Sequence, residues 1–508
     1  MKRISKIYLL TFFVLFLSVF ITHNIYPQLV SDFRVNDDTT NQIQFNARID
    51  TDAKGNFIMV WTDWRNEKSD GVKIDVFCQK FQESGNFIGN NFRVNELVGT
   101  SSSPDIAVRK DGSFLVCWKD FNVKVRIFDD QCIPQGPSFV VNDSVSNRVF
   151  NDMIVGSDSE GNFVVCWQEH IFNQNGNIFF QRLDQQGNKI GSNIKVNDDT
   201  IDVDHEYPAI TVKNDGSFIV VWNDYRPPSL PSVDDIYMQM FDKSGNKIGS
   251  NQKVNDDFGN NNRQFVPKIS SDSIGNFVIG WNDNRQGSAI YIQRYLNTGD
   301  KIGVNYKITQ SSVNNGKGIS SVDAKPNGEF IVYFTEFRNN LGTPYFQRFR
   351  SDGSFIGNNF PVTAQAPSTE KFSSDVNLFN DRIISVWTDA RNGPFDVYCN
   401  IRSFTNPDTT VSIIQTSSLV PENFSLNQNY PNPFNNTTQI GFNILQNNNY
   451  KLEIYNSIGQ KVKEVFNIFL NTGSYKINFE SGNISSGVYQ YILSSPKERF
   501  VKSFVLLK

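Results

Sequence analysis

The heptapeptide GNFIMVW at residues 55–61 is the clearest copy of a motif that recurs along most of this chain. It joins a glycine turn to a run of apolar residues that ends in tryptophan. Four more copies are close to it: GSFLVCW at 112–118, GNFVVCW at 161–167, GSFIVVW at 216–222 and GNFVIGW at 275–281. Two weaker copies follow, GEFIVYF at 328–334 and DRIISVW at 381–387. Successive copies begin 49 to 59 residues apart, so the chain contains about seven similar units.

Each unit has room for four strands around this motif. A short apolar run such as PDIAV at 104–108 precedes it, and a loop of variable length follows. A third strand comes next, as in IYMQMF at 236–241, and a glycine turn leads to a fourth, as in IGSNQKVN at 248–255. Four strands in about 50 residues are typical of one β-propeller blade. The sequence therefore predicts an all-β fold with a seven-bladed β-propeller over residues 29–405.

The two ends of the array predict how the propeller closes. The last unit has a third strand, VYCNIR at 397–402, but no fourth. A spare fourth strand, FRVN at 33–36, precedes the first unit. We expect this N-terminal strand to complete the last blade, because closure removes exposed sheet edges. An open solenoid or two β-sandwiches are the alternatives, but neither explains the displaced strand.

Composition narrows the classes of function. A chain of 508 residues is too long to fold around one ordinary hydrophobic core, so two or more domains or a repeat array are expected. The formal net charge of −4 provides no basic surface that would attract nucleic acid. The five cysteines have no CxxC spacing, so neither a zinc site nor a disulfide framework is expected. Three histidines are too few for a multi-histidine metal centre.

The N-terminus has the pattern of a targeting signal. Lys2, Arg3 and Lys6 precede an uninterrupted apolar run at residues 7–21. This run is shorter than the roughly 20 residues that a membrane-spanning helix needs. The sequence predicts a signal peptide over residues 1–28, and no transmembrane anchor in the mature form.

One face of the predicted propeller is the expected ligand-binding face. Connections from second to third strands, and from one blade to the next, open on the same face and vary widely, as at 198–206 and 226–235. Variable loops on a rigid scaffold are common places for binding sites. We call this side the loop face, and the opposite side, with its short glycine turns, the turn face.

An acidic residue follows every repeat motif by two positions on the loop face. The set is Asp63, Asp120, Glu169, Asp224, Asp283, Glu336 and Asp389. In five units an arginine follows two residues later: Arg65, Arg226, Arg285, Arg338 and Arg391. A carboxylate ring binding a cation or sugar is one interpretation. Structural ion pairs are favoured, because a catalytic group is needed once rather than in every blade.

The second and third units keep the carboxylate but lack the arginine. Asp120, Glu169 and His170 are therefore the candidate catalytic residues, as an unpaired acid and base cluster between neighbouring blades.

Oxygen-rich loops provide a separate hypothesis of calcium binding. Asp198 and Asp199 end a fourth strand, and Asp202, Asp204 and Glu206 follow within one loop. Such oxygen ligands suit calcium, although their spacing fits no EF-hand. The alternative is that Asn and Asp at strand ends form side-chain turns. Calcium is the one cofactor that the sequence suggests.

The C-terminal segment differs from the repeats. Residues 406–420 are polar and non-periodic, as expected of a linker. Residues 421–508 contain about seven short strands, which predicts a small Ig-like β-sandwich. Within them lie Tyr430, Pro431, Asn432, Pro433 and Phe434, then Gly459, then Gly487 and Tyr489, and finally Lys508.

This segment resembles the type A C-terminal sorting domain of the type IX secretion system. Asn436 departs from it, since proline is frequent at that position. The resemblance implies recognition by the type IX secretion machinery, export across the outer membrane, and a secreted or surface-attached product. The residues named above are those that carry the implied sorting signal.

The sequence favours a binding protein over an enzyme. Our first hypothesis is a secreted or surface-attached propeller whose loop face binds an extracellular glycan or protein that the sequence does not identify. The alternative is an extracellular polysaccharide hydrolase or lyase that uses Asp120 and Glu169. A purely structural surface-layer component is the third.

Overall fold

The computed structural model describes residues 28–66, 73–96, 100–143, 147–171, 174–226, 233–257, 262–309, 316–338, 341–363, 369–404, 414–417, 421, 423–446, 448–470, 472–481, 484–495 and 498–508. The predicted leader, most of the predicted linker and part of the 226–235 loop lie outside these residues. The described residues contain strands and no helix, so the all-β prediction is confirmed. The chain divides into two compact units, one spanning Tyr26–Asp408 and the other containing Thr409–Lys508.

The described part of the first unit contains seven antiparallel four-stranded sheets, one for each sequence repeat. Sheet 1 has β2 (Gln44–Thr51), β3 (Phe57–Asp63), β4 (Asp75–Phe81) and β5 (Phe87–Arg93). Sheet 2 has β6 (Ser102–Val108), β7 (Phe114–Asp120), β8 (Asn122–Phe128) and β9 (Phe139–Val140). Sheet 3 has β10 (Arg148–Ser157), β11 (Phe163–Ile171), β12 (Asn177–Leu183) and β13 (Lys189–Lys195).

The remaining four sheets repeat this order. Sheet 4 has β14 (His205–Val212), β15 (Phe218–Asp224), β16 (Asp235–Phe241) and β17 (Lys247–Lys253). Sheet 5 has β18 (Gln264–Ser271), β19 (Phe277–Asp283), β20 (Ala289–Tyr295) and β21 (Lys301–Lys307). Sheet 6 has β22 (Lys317–Ala324), β23 (Phe330–Arg338), β24 (Leu341–Phe349) and β25 (Phe355–Pro361). Sheet 7 has β26 (Lys371–Phe379), β27 (Arg382–Asp389) and β28 (Asp396–Ser403), and its fourth strand is β1 (Gln28–Arg34).

Strand β1 joins the first part of the unit to the last. Phe33 lies opposite Cys399 and Arg34 opposite Tyr398 in an antiparallel ladder with β28. The next residues continue the contact, because the Val35 N–H donates to the Val397 carbonyl at 2.8 Å. The predicted pairing of the 33–36 segment with the sheet that contains Trp387 is therefore present.

Neighbouring sheets are held together by shared hydrophobic cores. One core contains Ile58 of sheet 1 and Trp118 of sheet 2, and similar cores join each sheet to the next as far as sheet 7. Another core contains Trp61 of sheet 1 and Val386 of sheet 7. The recurring tryptophan of the second strand is thus an interior residue, and every sheet buries apolar side chains on both faces.

The glycine of the repeat motif serves a tight turn between first and second strands. In sheet 1, Gly55 has φ +83°, and an added Cβ would lie 2.5 Å from the Phe379 ring. Asp52 stabilises the same turn, because its Oδ1 accepts the N–H groups of Lys54 and Asn56 at 2.8 and 2.9 Å. The turn residues thus have a local structural role.

The second unit contains two four-stranded sheets. The first has the order β29 (Ile414–Ser417), β34 (Gly473–Glu480), β31 (Thr437–Ile444) and β30 (Ser425–Leu426). The second has the order β33 (Lys461–Leu470), β32 (Asn448–Asn456), β35 (Gly487–Ser494) and β36 (Arg499–Leu506). Ile440 and Ile477 from the first sheet and Leu452 and Tyr491 from the second share one buried core.

Candidate functional site

The variable connections of the first unit meet on the loop face. Trp64, directly after β3, donates its backbone N–H to the carbonyl of Ile43, which precedes β2, at 3.1 Å. Tyr225 and Asp204 make the equivalent contact in sheet 4, at 3.2 Å. The strand order therefore brings second-to-third connections and sheet-to-sheet connections together, as the sequence predicts.

A cavity of about 540 Å³ opens on this face, and we call it the aromatic cavity. Phe45 and Trp64 of sheet 1 line it, with ring centroids 6.2 Å apart at 65°. Phe372 and Phe395 of sheet 7 also line it, with centroids 5.7 Å apart at 53°. All four rings are half-buried, so part of each remains accessible. The indole Nε1 of Trp64 is buried and has no hydrogen-bond partner among the described residues.

Small polar side chains, two cations and the isoleucines Ile43 and Ile319 complete the lining. The polar residues are Asn46, Ser320, Ser373, Ser374 and Thr388, and the cations are Arg48 and Lys268. No carboxylate occurs among the lining residues that the structure describes. Arg48 and Lys268 come from the first strands of sheets 1 and 5, at the position that pairs with the residue before the repeat tryptophan.

A second cavity on the loop face, which we call the polar cavity, lies among sheets 2 to 4. Its volume is about 290 Å³, and its lining includes Lys119, Asp152, Gln168, Glu206 and Tyr207. Burial raises the pKa of the Asp152 and Glu206 carboxyl groups, and the charge of neighbouring Asp204 adds to the shift of Glu206. Lys119 Nζ donates to Asn151 Oδ1 at 2.9 Å. Carboxyl groups with raised pKa are suited to proton transfer near neutral pH.

The first strands of all seven sheets surround a third space of about 380 Å³, the axial cavity. Four of its aspartates link neighbouring sheets, because the Oδ2 of each accepts a backbone N–H from the next first strand. The pairs are Asp50 with Val108 (2.7 Å), Asp105 with Val155 (2.8 Å), Asp323 with Leu378 (2.6 Å) and Asp375 with Ile49 (3.2 Å). Burial raises the pKa of Asp50, Asp105 and Asp323 to about 7, which reduces the negative charge of this wall at neutral pH.

The recurring loop-face carboxylates are structural in most sheets, as predicted. In sheet 4, Trp222 Nε1 donates to Asp224 Oδ2 at 2.8 Å, and Arg226 Nε and Nη2 donate to the same carboxylate at 2.9 and 2.7 Å. The Arg226 guanidinium also lies 4.4 Å from the centre of the Tyr237 ring. Equivalent networks form around Asp63, Asp283 and Asp389.

The prediction that Asp120 and Glu169 are unpaired is wrong. Asp120 Oδ2 lies 3.3 Å from Lys124 Nζ, because β7 and β8 are joined by Phe121 alone and bring the lysine alongside. Glu169 is buried, accepts from Trp167 Nε1 at 3.3 Å and lies 3.5 Å from Arg148 Nη1. His170 is half-buried, and its Nδ1 has no partner among the described residues. None of the three lines the aromatic, polar or axial cavity.

The predicted calcium ligands are also engaged in contacts within the protein. Asp198 Oδ1 lies 3.0 Å from Arg226 Nη1, and Asp199 Oδ1 lies 3.0 Å from His205 Nε2. Asp204 Oδ1 accepts the Gly176 N–H at 2.7 Å, and Glu206 Oε2 accepts from Tyr225 OH at 3.3 Å. Asp202 is exposed and contributes its backbone carbonyl to a contact with Asn175. No group of three or more His, Cys, Asp or Glu side chains suited to a metal occurs in the described part of the chain, so the predicted cluster is not assembled.

The first five sorting-signal residues, 430–434, lie together along the last strand of the second unit. Tyr430, Pro431, Asn432 and Pro433 are exposed, whereas Phe434 is buried in the core. Asn432 Oδ1 accepts the Val505 N–H at 2.9 Å, and the Phe434 N–H donates to the Val505 carbonyl at 3.1 Å. The motif therefore covers part of the outer edge of β36.

The other motif residues have separate structural roles. Gly459 forms a turn with φ +78°, and Gly487 leaves room for the Tyr489 ring. Tyr489 OH donates to the Ser485 carbonyl at 2.9 Å, and the Lys508 N–H donates to Ser486 Oγ at 2.8 Å.

Sequence reasoning missed the residues of the aromatic and polar cavities other than Glu206. A signal for some of them exists in the repeat. When the first strands are aligned by their pairing with the residue before the tryptophan, one position holds Arg48, Asp105, Ile154, Ala209, Lys268, Ser321 and Asp375. Charged residues at an inner position that is apolar or small in other repeats mark a wall that is not part of a packed core.

Comparison with known proteins identifies the second unit. Residues 428–507 match the family described as the secretion system C-terminal sorting domain, which confirms the resemblance and indicates an exported protein, secreted or held at the cell surface. No curated protein sequence matches the chain. None of the described segments is a helix long and apolar enough to cross a membrane.

Three solved structures are similar to part of this chain. A protein of unknown function from Dyadobacter fermentans DSM 18053 has 11% identity, over 74% of this chain and 98% of its own, with a TM-score of 0.43. The polysaccharide lyase Uly1 has 10% identity, over 74% and 100%, with a TM-score of 0.48. An α-L-arabinofuranosidase from Fusarium graminearum has 9% identity, over 74% and 98%, with a TM-score of 0.45.

Proposed function

We propose that this exported protein binds an extracellular saccharide in the aromatic cavity of its loop face. In this proposal the first unit is a seven-bladed β-propeller over residues 29–405, closed by the N-terminal strand β1. A signal peptide at residues 1–28 precedes it. A linker at 406–420 leads to an Ig-like sandwich at 421–508, which the type IX secretion machinery recognises.

The proposal of a propeller rests on contacts that link each sheet to the next and the last sheet to the first. Each sheet shares a hydrophobic core with the next, and the seventh shares one with the first. Asn36 strengthens the last junction, because its Nδ2 donates to Asp396 Oδ1 at 2.8 Å and its Oδ1 accepts the Val397 N–H at 2.9 Å. A ring of sheets leaves the first strands around an axis, where the axial cavity lies.

One observation carries the saccharide proposal: four half-buried aromatic rings face a cavity that is otherwise lined mainly by hydroxyl and amide groups. Ligand pockets combine apolar walls with a few placed polar groups. A sugar ring presents C–H groups on its faces and hydroxyl groups at its rim, which matches this lining.

Glycan-array binding of the mature chain tests this proposal. We expect selective binding to extracellular polysaccharide fragments, and we expect Trp64→Ala to weaken it at least about tenfold, as for a central aromatic anchor. Phe121→Ala is the matched control, because Phe121 is an aromatic residue of the loop face, 78% exposed, outside the cavity lining. Absence of glycan binding, or equal losses in both variants, would reject the aromatic cavity as a saccharide site.

The polar cavity supports a second candidate function, hydrolysis or elimination of a polysaccharide. Asp152 and Glu206 are carboxyl groups with raised pKa beside Lys119, which is a suitable set for acid and base catalysis. They replace Asp120 and Glu169 as the residues we would test first. Glu206→Gln and Asp152→Asn should abolish turnover while leaving glycan binding intact. If glycans are bound by the unmodified protein but never cleaved, the enzyme candidate is rejected.

A further inference from the structure

We infer that the saccharide held in the aromatic cavity is anionic and carries a carboxylate that Arg48 and Lys268 bind together. This inference rests on the proposed saccharide site and specifies its ligand class, an oligosaccharide containing uronic acid. The inference depends on the positive charge of the cavity wall and on the contacts that Arg48 and Lys268 already make within the protein.

Lys268 provides the strongest support. Its side chain is half-buried in the cavity wall, yet its ammonium group makes no hydrogen bond or ion pair with any described residue. Burial lowers its pKa to about 8, and the nearby Arg48 charge contributes in the same direction, against the opposing charges of Asp375, Asp152 and Asp105. A partly desolvated cation without a partner is costly for the unliganded protein. An anion in the cavity would supply the missing partner.

Arg48 has weak contacts and spare donors. Its Nε lies 3.5 Å from Asp105 Oδ1, and its Nη1 reaches the carbonyls of Ala47 and Ser374 at 3.4 Å each. These distances are long for hydrogen bonds, and Nη2 has no partner in the described part of the chain. Its side chain is 31% exposed, so a ligand can reach the guanidinium. A planar guanidinium suits a carboxylate, which it can bind through two parallel N–H groups.

The carboxylates near these cations are Asp105, Asp152 and Asp375, and they line the axial or the polar cavity rather than the aromatic cavity. Asp105 and Asp375 each accept a backbone N–H from an adjacent sheet. Asp105 also carries a reduced charge near neutral pH because burial raises its pKa to about 7. Within the described lining of the aromatic cavity, Arg48 and Lys268 are the charged groups, and both are positive. The cavity therefore favours an anionic sugar over a neutral one.

A matched pair of probes tests the inference on the mature chain. One probe is an oligouronate, and the other is the same oligosaccharide after reduction of its carboxyl groups to hydroxymethyl groups. We expect the oligouronate to bind at least about tenfold more tightly, since each buried charge contact contributes strongly to affinity. Lys268→Met keeps the length of the side chain and removes its charge, so it should abolish most of this difference. Folding should be preserved, because the ammonium group has no partner to lose.

Lys189→Met is the control, since Lys189 lies on β13, pairs with Asp143 at 3.0 Å and is outside the lining of the aromatic, polar and axial cavities. It should leave the preference for the oligouronate unchanged. Equal affinity for the two probes, or a preference that survives in both Lys268→Met and Arg48→Gln, would overturn the inference while leaving the saccharide site standing. If neither these probes nor any glycan of the array binds, the proposed function itself fails.

Discussion

At the scale of single residues, the recurring loop-face carboxylate has different contacts in sheet 4 and in sheet 2. The carboxylate two positions after the repeat motif is fully buried at Asp224, where it accepts the Trp222 indole N–H and two N–H groups of the Arg226 side chain. At Asp120 the side chain is 22% exposed and has a single lysine contact at 3.3 Å. Trp118, which corresponds to Trp222, consequently has an indole Nε1 without a partner among the described residues. The same position therefore stabilises sheet 4 much more than sheet 2.

This difference is measurable. Asp224→Ala should lower the free energy of unfolding by about 1–3 kcal/mol, because it leaves the buried Trp222 indole N–H without an acceptor and removes one of the carboxylates that the Arg226 guanidinium contacts. Asp120→Ala should cost less than about 1 kcal/mol, as is usual for a solvent-screened ion pair. Urea unfolding followed by tryptophan fluorescence compares the two variants. Similar losses from both would contradict the assignment of Asp224 to the structural network.

At the scale of strands, the sequence predicted the parts of the fold that depend on local pattern and counting. The alternation around each repeat tryptophan identified the second strands, and the missing fourth strand of the last unit identified the partner of the 33–36 segment. The aromatic cavity could not be predicted in this way. Phe45, Lys268 and Phe372 belong to three sheets far apart in sequence, and only the arrangement of sheets brings their first strands together. The pairing of Asp120 with Lys124 likewise depends on a hairpin whose length is specific to sheet 2.

The pairing of β1 makes a prediction about this element. Removal of residues 28–36 should lower the urea midpoint of the first unit and promote self-association, because it leaves the outer edge of β28 unpaired. It also removes the contacts of Phe33 with the Phe81 and Phe87 rings of sheet 1, at 5.7 and 5.9 Å. Size-exclusion chromatography and urea unfolding measure both effects. The control variant is Asn36→Ala, which removes hydrogen bonds to β28 but keeps the strand, so it should lower the midpoint without association. A truncated protein that remains monomeric with an unchanged midpoint would show that β1 does not stabilise the first unit.

At the scale of the whole molecule, the second unit offers a test of whether export requires a folded sorting domain. Phe434 is 3% exposed, and its ring contacts Phe504 and Phe479 at centroid distances of 5.2 and 6.1 Å. Phe434→Ala should cost about 3–5 kcal/mol, as for other large-to-small changes in a core. That is a large part of the roughly 5–15 kcal/mol available to a small domain. We therefore expect Phe434→Ala to lower the urea midpoint of the second unit sharply and to leave more of the protein inside the outer membrane of a host with a type IX system, while the first unit keeps its fluorescence.

Tyr430→Ala separates stability from recognition in the same motif. Tyr430 is 82% exposed, so its loss should leave the unfolding of the second unit unchanged. Immunoblots of the medium, the cell surface and the periplasm measure export of both variants. If Phe434→Ala is exported as well as the unmodified protein although the unit is unfolded, the machinery reads an extended segment rather than a folded surface. If Tyr430→Ala folds normally but stays in the periplasm, the exposed loop along β36 is itself part of the surface that the machinery recognises, because no loss of core packing is available to explain the defect.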